Sequence, residues 1–134
     1  ADGNPIISYW DFDFVALKVA ACTDPTCTAS TITTVDGTGY VGEYSSITIG
    51  ADGNPIISYH DATAGDLKVA ACTNATCTNK TITAVDSTGD VGAYSSITIG
   101  ADGNPIISYY DFTATALKVA KLTRTSWTPN TWES

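Results

Sequence analysis

The nonapeptide ADGNPIISY occurs at residues 1–9, 51–59 and 101–109, an undeviating spacing of 50 residues. Residues 1–50 and 51–100 match at 36 of 50 positions without a gap, and residues 101–120 match each earlier copy at 16 of 20. From Lys121 the third copy departs and runs out as KLTRTSWTPNTWES. A chain that repeats in this way builds one supersecondary unit several times and buries the apolar surface of each unit on its neighbours. The 134 residues therefore read as a single repeat array with units 1–50, 51–100 and 101–134. An atypical last unit is what such arrays show, because that unit has a neighbour on one side only.

Within a unit the local signals are those of strands. Tyr44 to Ile49 (YSSITI) runs into the turn Gly50-Ala51-Asp52-Gly53-Asn54, whose residue types suit a tight reversal. Pro55 to Asp61 follows, with proline at the strand start, where its missing N–H is tolerated. Ala62 to Asp66 is a second turn, Leu67 to Thr73 a third strand, Asn74 to Thr78 a third turn and Lys80 to Val85 a fourth, β-branched strand. Asp86 to Gly92 forms a longer connection to the next unit. No apolar stripe of period 3.6 is present, so the chain is all-β.

Four short antiparallel strands per unit, three tight turns and one longer crossover describe a propeller-type blade, and known blades run about 40–50 residues. The expected blades cover residues 4–36, 44–86 and 94–134, about three in number, with the first lacking its first strand. A count of eleven strands where three blades need twelve leaves a ring unclosed. It predicts either a piece of a longer chain or copies that supply what each other lack.

Composition excludes several partners. With 14 acidic against 6 basic residues the net charge is −8, and six scattered cations form no phosphate-binding patch, so no nucleic acid is expected. No apolar run reaches the length of a membrane span. The first residues show neither a charged leader nor an apolar signal core, which predicts a processed chain.

The pattern DG-x-P-x-ISY-x-D, then LK-x-A-x-C, a second cysteine and TITxVD, resembles a repeat of bacterial secreted β-propeller-like proteins. The resemblance covers residues 1–120. It implies the fold and an extracellular or cell-surface location, and transfers no catalytic residue.

All four cysteines share one setting, Cys22-Thr-Asp-Pro-Thr-Cys27 and Cys72-Thr-Asn-Ala-Thr-Cys77. Four residues around a hairpin turn place the two sulfurs on facing strands, so one disulfide per unit is expected, formed in an oxidising compartment. A zinc site is disfavoured by the single histidine, the absence of Cys-x-x-Cys and the replacement of both sulfurs in the third copy by Leu122 and Trp127. No metal or other cofactor is expected. Two glycosylation sequons, at Asn74 and Asn79, lie at the same turn.

Function is most legible where otherwise constant units differ. After each ISY stands a ring, Trp10, His60 or Tyr110, followed by a constant acid, Asp11, Asp61 or Asp111. One reading is a set of stacking platforms for a sugar ring, with the carboxylate adding hydrogen bonds. The other is packing between blades, with the acid capping a turn or pairing with Lys18, Lys68 or Lys118. The next turn carries Phe12, Phe14 and Val15 in the first copy and Phe112 in the third, apolar residues that suit a contact with another subunit or a tuck under neighbouring loops. Catalytic signals are thin: there is no GxSxG, HExxH or phosphate loop, and His60 has no counterpart in the other units. The leading expectation is a non-enzymatic extracellular structural or adhesive module that self-assembles with other copies, as a closed ring or a filament. The alternative is a glycan-binding lectin with one aromatic platform per blade. A glycoside-active enzyme, using Asp11, Asp61 and Asp111, is a distant third.

Overall fold

A computed structural model describes residues 2–123 and 126–133. They contain no helix and eleven strands: β1 (Ile6–Asp11), β2 (Ala16–Cys22), β3 (Ser30–Asp36), β4 (Val41–Ile49), β5 (Pro55–Asp61), β6 (Asp66–Cys72), β7 (Lys80–Asp86), β8 (Val91–Ile99), β9 (Pro105–Asp111), β10 (Ala116–Thr123) and β11 (Ser126–Glu133). They form three antiparallel sheets in sequence order, of 3, 4 and 4 strands: β1–β2–β3, β4–β5–β6–β7 and β8–β9–β10–β11. None closes into a barrel. The three-stranded first sheet and two four-stranded sheets follow the sequence expectation.

The strand that opens the second and third sheets is longer than its sequence suggests. It begins at Val41 and Val91 rather than at Tyr44 and Tyr94, and the connection shrinks accordingly. Two register irregularities interrupt its pairing with the next strand, between Val41 and Glu43 and between Glu43 and Ser46 in the second sheet. Gly42 at φ 106° and Tyr44 at φ 53° supply the left-handed turns of the chain that such bulges need. A Cβ on Gly42 would stand 2.7 Å from the Leu17 backbone, and one on Gly92 equally close to Leu67, so glycine lets this strand lie directly on the sheet before it.

Apolar residues fill the two spaces between sheets. Leu17, Val19 and Val35 meet Val41, Ile57 and Tyr59 between the first and second, and Leu67, Val69 and Val85 meet Val91, Ile107 and Tyr109 between the second and third. Hydroxyls satisfy one another across the same seams: Ser8 Oγ lies 3.1 Å from Ser45 Oγ, and Ser58 Oγ 2.8 Å from Ser95 Oγ. Cys22–Cys27 and Cys72–Cys77 are disulfide-bonded as expected, with Cα atoms 4.9 Å apart in each, but the bond joins a strand end to the turn beyond it and not two facing strands. The strand partners of Cys22 and Cys72 are Ser30 and Lys80, and Cys27 and Cys77 sit in the connecting turns at φ 57°. In the third unit Leu122 and Trp127 stand opposite one another at the corresponding place, and Trp127 packs against the second core.

Candidate functional site

Asp11, Asp61 and Asp111 end β1, β5 and β9, and each holds the turn that follows. Asp61 Oδ1 accepts the amides of Thr63 and Ala64, both at 3.0 Å. Asp11 Oδ1 accepts those of Asp13 and Phe14, and Asp111 Oδ1 that of Ala114 at 2.8 Å. The other oxygen faces a lysine: Lys18 is 2.7 Å from Asp11, Lys68 is 2.5 Å from Asp61 and Lys118 is 3.7 Å from Asp111. The Lys18 hydrogen bond is the main reason the Asp11 carboxyl lies below its ordinary value. Of the two roles open to these acids from sequence, turn capping with lysine pairing is the one their oxygens occupy.

Lys68 and Lys118 also reach back to the preceding sheet. Lys68 Nζ is 3.8 Å from Asp36 and Lys118 Nζ is 2.5 Å from Asp86. The same two acids accept a buried phenol, Tyr59 to Asp36 at 2.7 Å and Tyr109 to Asp86 at 2.8 Å. Burial alone would raise the Asp86 carboxyl, but hydrogen bonds from Lys118, Tyr109 and the Thr88 amide outweigh it and hold the group below its ordinary value. Asp36 is lowered likewise, with burial opposed by Thr38, Tyr59 and Lys68. Both phenols are pushed far above the ordinary tyrosine value, first by burial and then by the carboxylate they face. Tyrosine, lysine and acid thus form one clamp at each seam.

The three variable rings have different fates. Trp10 is half-buried, edge-on to Phe12 at 5.3 Å and tilted against Tyr40 at 5.2 Å. His60 is buried, with Nε2 3.0 Å from Asp90 Oδ1 and Nδ1 4.0 Å from Glu43 Oε2. Tyr110 is half-buried and meets Phe112 edge-on at 5.0 Å. Residues 40 and 90 are equivalent in the repeat, so the same place holds a Trp–Tyr pair at one seam and a His–Asp pair at the next.

Rings that the sequence reading took for ordinary strand residues complete this rim. Tyr44 and Tyr94 face each other at 4.4 Å, and Tyr94 lies 6.3 Å from Phe112. Tyr94 is 63% exposed. Hydrogen bonding with Tyr94, and then burial, raises the Tyr44 phenol above its usual value. Phe12 and Phe14 are exposed and Val15 half-buried, with Lys18 Nζ 4.2 Å over the Phe14 ring. All these groups stand at the strand ends that meet the β1–β2, β5–β6 and β9–β10 turns. They form two aromatic groups on one edge, Trp10–Phe12–Tyr40 and Tyr44–Tyr94–Phe112–Tyr110, and the carboxylates of Glu43 and Asp90 face His60, whose ring lies 6.3 Å from Tyr44.

No family model matches the chain, and no curated protein matches it. Among solved structures it is similar to a fucose lectin from Kordia zhangzhouensis, determined in complex with methyl-fucoside. The TM-score is 0.57 at 10% identity, and the match covers 96% of this chain and 90% of that chain. The likeness is one of fold.

Two depressions mark the surface, one away from the rim and one that shares Tyr94 and Tyr110 with it. One of about 560 Å³ sits between the first two sheets at the opposite strand ends, lined by Asp2, Asn4, Pro5, Ile49, Pro55 and Thr76 among others. The other, about 330 Å³, lies on the outer face of the third sheet and is lined by Tyr94, Ser108, Tyr109, Tyr110 and Leu117. Ser108 and Leu117 are exposed here, whereas their counterparts in the second sheet, Ser58 and Leu67, are buried. The second depression is therefore the place that another sheet occupies elsewhere in the array.

Proposed function

We propose that this chain is an extracellular carbohydrate-binding module, a non-enzymatic lectin whose three sheets are arranged as propeller-type blades and whose sugar contacts lie on the aromatic rim. The carrying observation is the exposed row Tyr44–Tyr94–Phe112 with Glu43 and Asp90 beside it. Exposed rings offer flat surfaces to the C–H face of a pyranose, and neighbouring carboxylates accept its hydroxyls. Trp10 with Tyr40 and Phe12 offers a second such surface. The fold likeness to a fucose lectin supports the reading, and the two disulfides are compatible with a secreted protein. The resemblance of the repeat motif to bacterial secreted propeller-like proteins agrees with it.

In this proposal the ring at the variable position contributes unequally. Trp10 and Tyr110 belong to the binding edge, His60 orients Asp90, and Asp11, Asp61 and Asp111 hold the turns that carry Phe12, Thr63 and Phe112. The lectin reading stands ahead of a purely structural or adhesive module because rings and acids converge on one edge, whereas Phe12, Phe14, Val15 and Phe112 alone define no partner. A glycan array, followed by calorimetry with methyl fucoside and a monosaccharide panel, tests it. Tyr94→Ala and Trp10→Ala each weaken binding about tenfold, the expected loss of one stacked ring. Absence of binding to every glycan at millimolar concentration, or unchanged affinity in both variants, refutes the proposal.

A further inference from the structure

Tyr40 and Asp90 occupy one place in successive seams and are held there by the same backbone bonds. The amide of each donates to a threonine of the next turn, Tyr40 to Thr63 Oγ1 and Asp90 to Thr113 Oγ1, both at 2.8 Å. The carbonyl of each accepts an amide from the same turn at 2.9 Å, that of Ala62 or of Phe112. The main chain is thus fixed alike at both seams, and side chains alone set the chemistry of the rim there. They are Trp10 with Tyr40 at the first seam and His60 with Asp90 at the second.

The second seam carries negative charge that no lysine answers. Asp11, Asp36, Asp61, Asp86 and Asp111 each face a lysine. Glu43 and Asp90 face His60 instead, and among the described residues no lysine or arginine reaches either. A carboxylate only accepts, so the 3.0 Å contact with Asp90 Oδ1 puts the imidazole proton on Nε2. In the neutral ring Nδ1 is then a bare acceptor. It is buried, has no hydrogen-bond partner among the described residues and is aimed at Glu43 Oε2, 4.0 Å away. Two acceptors therefore face each other, a pairing that only a positively charged donor beside them relieves. The acids themselves are open to a ligand: the side chain of Asp90 is 53% exposed and that of Glu43 24%. The exposed rings of Tyr44 and Tyr94 lie alongside, Tyr44 next in the chain to Glu43.

We propose that the second seam binds an amino sugar through its free ammonium group, which Glu43 takes, while Asp90 Oδ2 accepts a neighbouring hydroxyl and Tyr44 and Tyr94 cover the C–H face of the ring. An ammonium brings three N–H donors and one charge, the complement of an unpaired carboxylate. The faces of the two tyrosines add to the attraction for a cation. A net charge of −8 draws cationic sugars to the chain and repels sugar acids. N-acetylation removes the charge and with it the advantage. The first seam offers Trp10 and Tyr40, a stacking surface without that charge, and does not discriminate. The inference rests on the lectin reading and names the sugar class that one of its seams prefers.

Calorimetry on the whole chain at pH 7, with glucosamine, glucose and N-acetylglucosamine, tests it. Glucosamine binds about tenfold more tightly than the other two, the worth of one charge-assisted hydrogen bond, and added salt narrows the difference. In Glu43→Gln the ratio of glucosamine to glucose affinity falls to near one. His60 is the only histidine of the chain, so its imidazole proton resonances report on the second seam alone. Glucosamine shifts them at concentrations at which glucose does not, a readout on the unaltered chain that stands even if Glu43→Gln fails to fold. Neutral sugars bound as tightly as glucosamine overturn the assignment and leave the lectin reading in place, whereas absence of binding to every glycan overturns both. A preference that survives in folded Glu43→Gln, unmoved His60 resonances, or an equal response to ethylammonium, an amine without a sugar ring, each overturns the assignment as well.

Discussion

Removing a single hydroxyl at each of three equivalent tyrosines measures the clamp directly. The Tyr59 and Tyr109 hydroxyls donate to buried carboxylates at 2.7 and 2.8 Å, whereas Tyr9 has no such acceptor among the described residues. Tyrosine to phenylalanine leaves the ring in place, so packing is retained and the hydrogen bond alone is lost. A hydrogen bond to a charged group contributes about 1.5–3 kcal/mol. In Tyr109→Phe the Asp86 carboxylate keeps Lys118 and the Thr88 amide, so it is not left bare and the loss belongs at the lower end, about 1.5–2 kcal/mol. For a chain of this size a loss of that order lowers Tm by about 5–8 °C. Tyr9→Phe should cost less than about 0.5 kcal/mol, the ordinary range for a surface change. Urea unfolding at low micromolar protein, with disulfides intact, gives the three values side by side. If Tyr9→Phe costs as much as Tyr59→Phe and Tyr109→Phe, or if all three are neutral, the clamp does not hold the seams.

Three further outcomes follow from the same contacts. Asp86 has a folded value below its unfolded one, near 3.8, so its stabilisation is complete above that pH and is lost as pH falls through the folded value; Tm holds from pH 7 to 5, drops below about pH 4, and drops less steeply in Asp86→Asn. Gly92→Ala places a Cβ 2.7 Å from the Leu67 backbone at φ 103°, and denaturant titration should show a loss of about 3 kcal/mol or more. Reducing either disulfide frees a short loop, with a sequence separation of 5, and costs about 2 kcal/mol by the chain-entropy model, read as a lower urea midpoint.

Much of the sheet architecture was legible because the signals are local. Alternating β-branched residues, a proline at a strand start and the Gly/Asp/Asn turns each act within a few residues, and the cysteine spacing fixes its own hairpin. The longer first strand was not legible, because its start depends on Gly42 meeting Leu17 of another sheet. That contact also sets the Tyr44 and Tyr94 bulges, so two rings that read as plain strand residues emerge on the rim. The Trp10, His60 and Tyr110 position was found by its variation, but variation alone does not say that His60 turns to Asp90 while Trp10 turns to Tyr40. The clamp joins residues 23 apart across a repeat boundary, a distance at which one sequence offers no pairing signal. Asp86 reads from sequence as the start of a connecting loop, although it ends β7 and closes the clamp.

The clamp also bears on how such a chain can change in length. Each 50-residue unit contains a donor pair near its beginning and an acceptor farther on, so every whole unit brings one half for the sheet before it and one for the sheet after it. Tandem duplication of a whole unit creates a new seam whose buried groups are already matched, with no new interface to be selected. Insertion of an incomplete unit strands a carboxylate or a phenol between sheets, at a cost of several kcal/mol. The near-invariance of the spacing is then a bookkeeping condition on buried polar groups, and gene duplication in whole steps is the route by which an array of this kind lengthens.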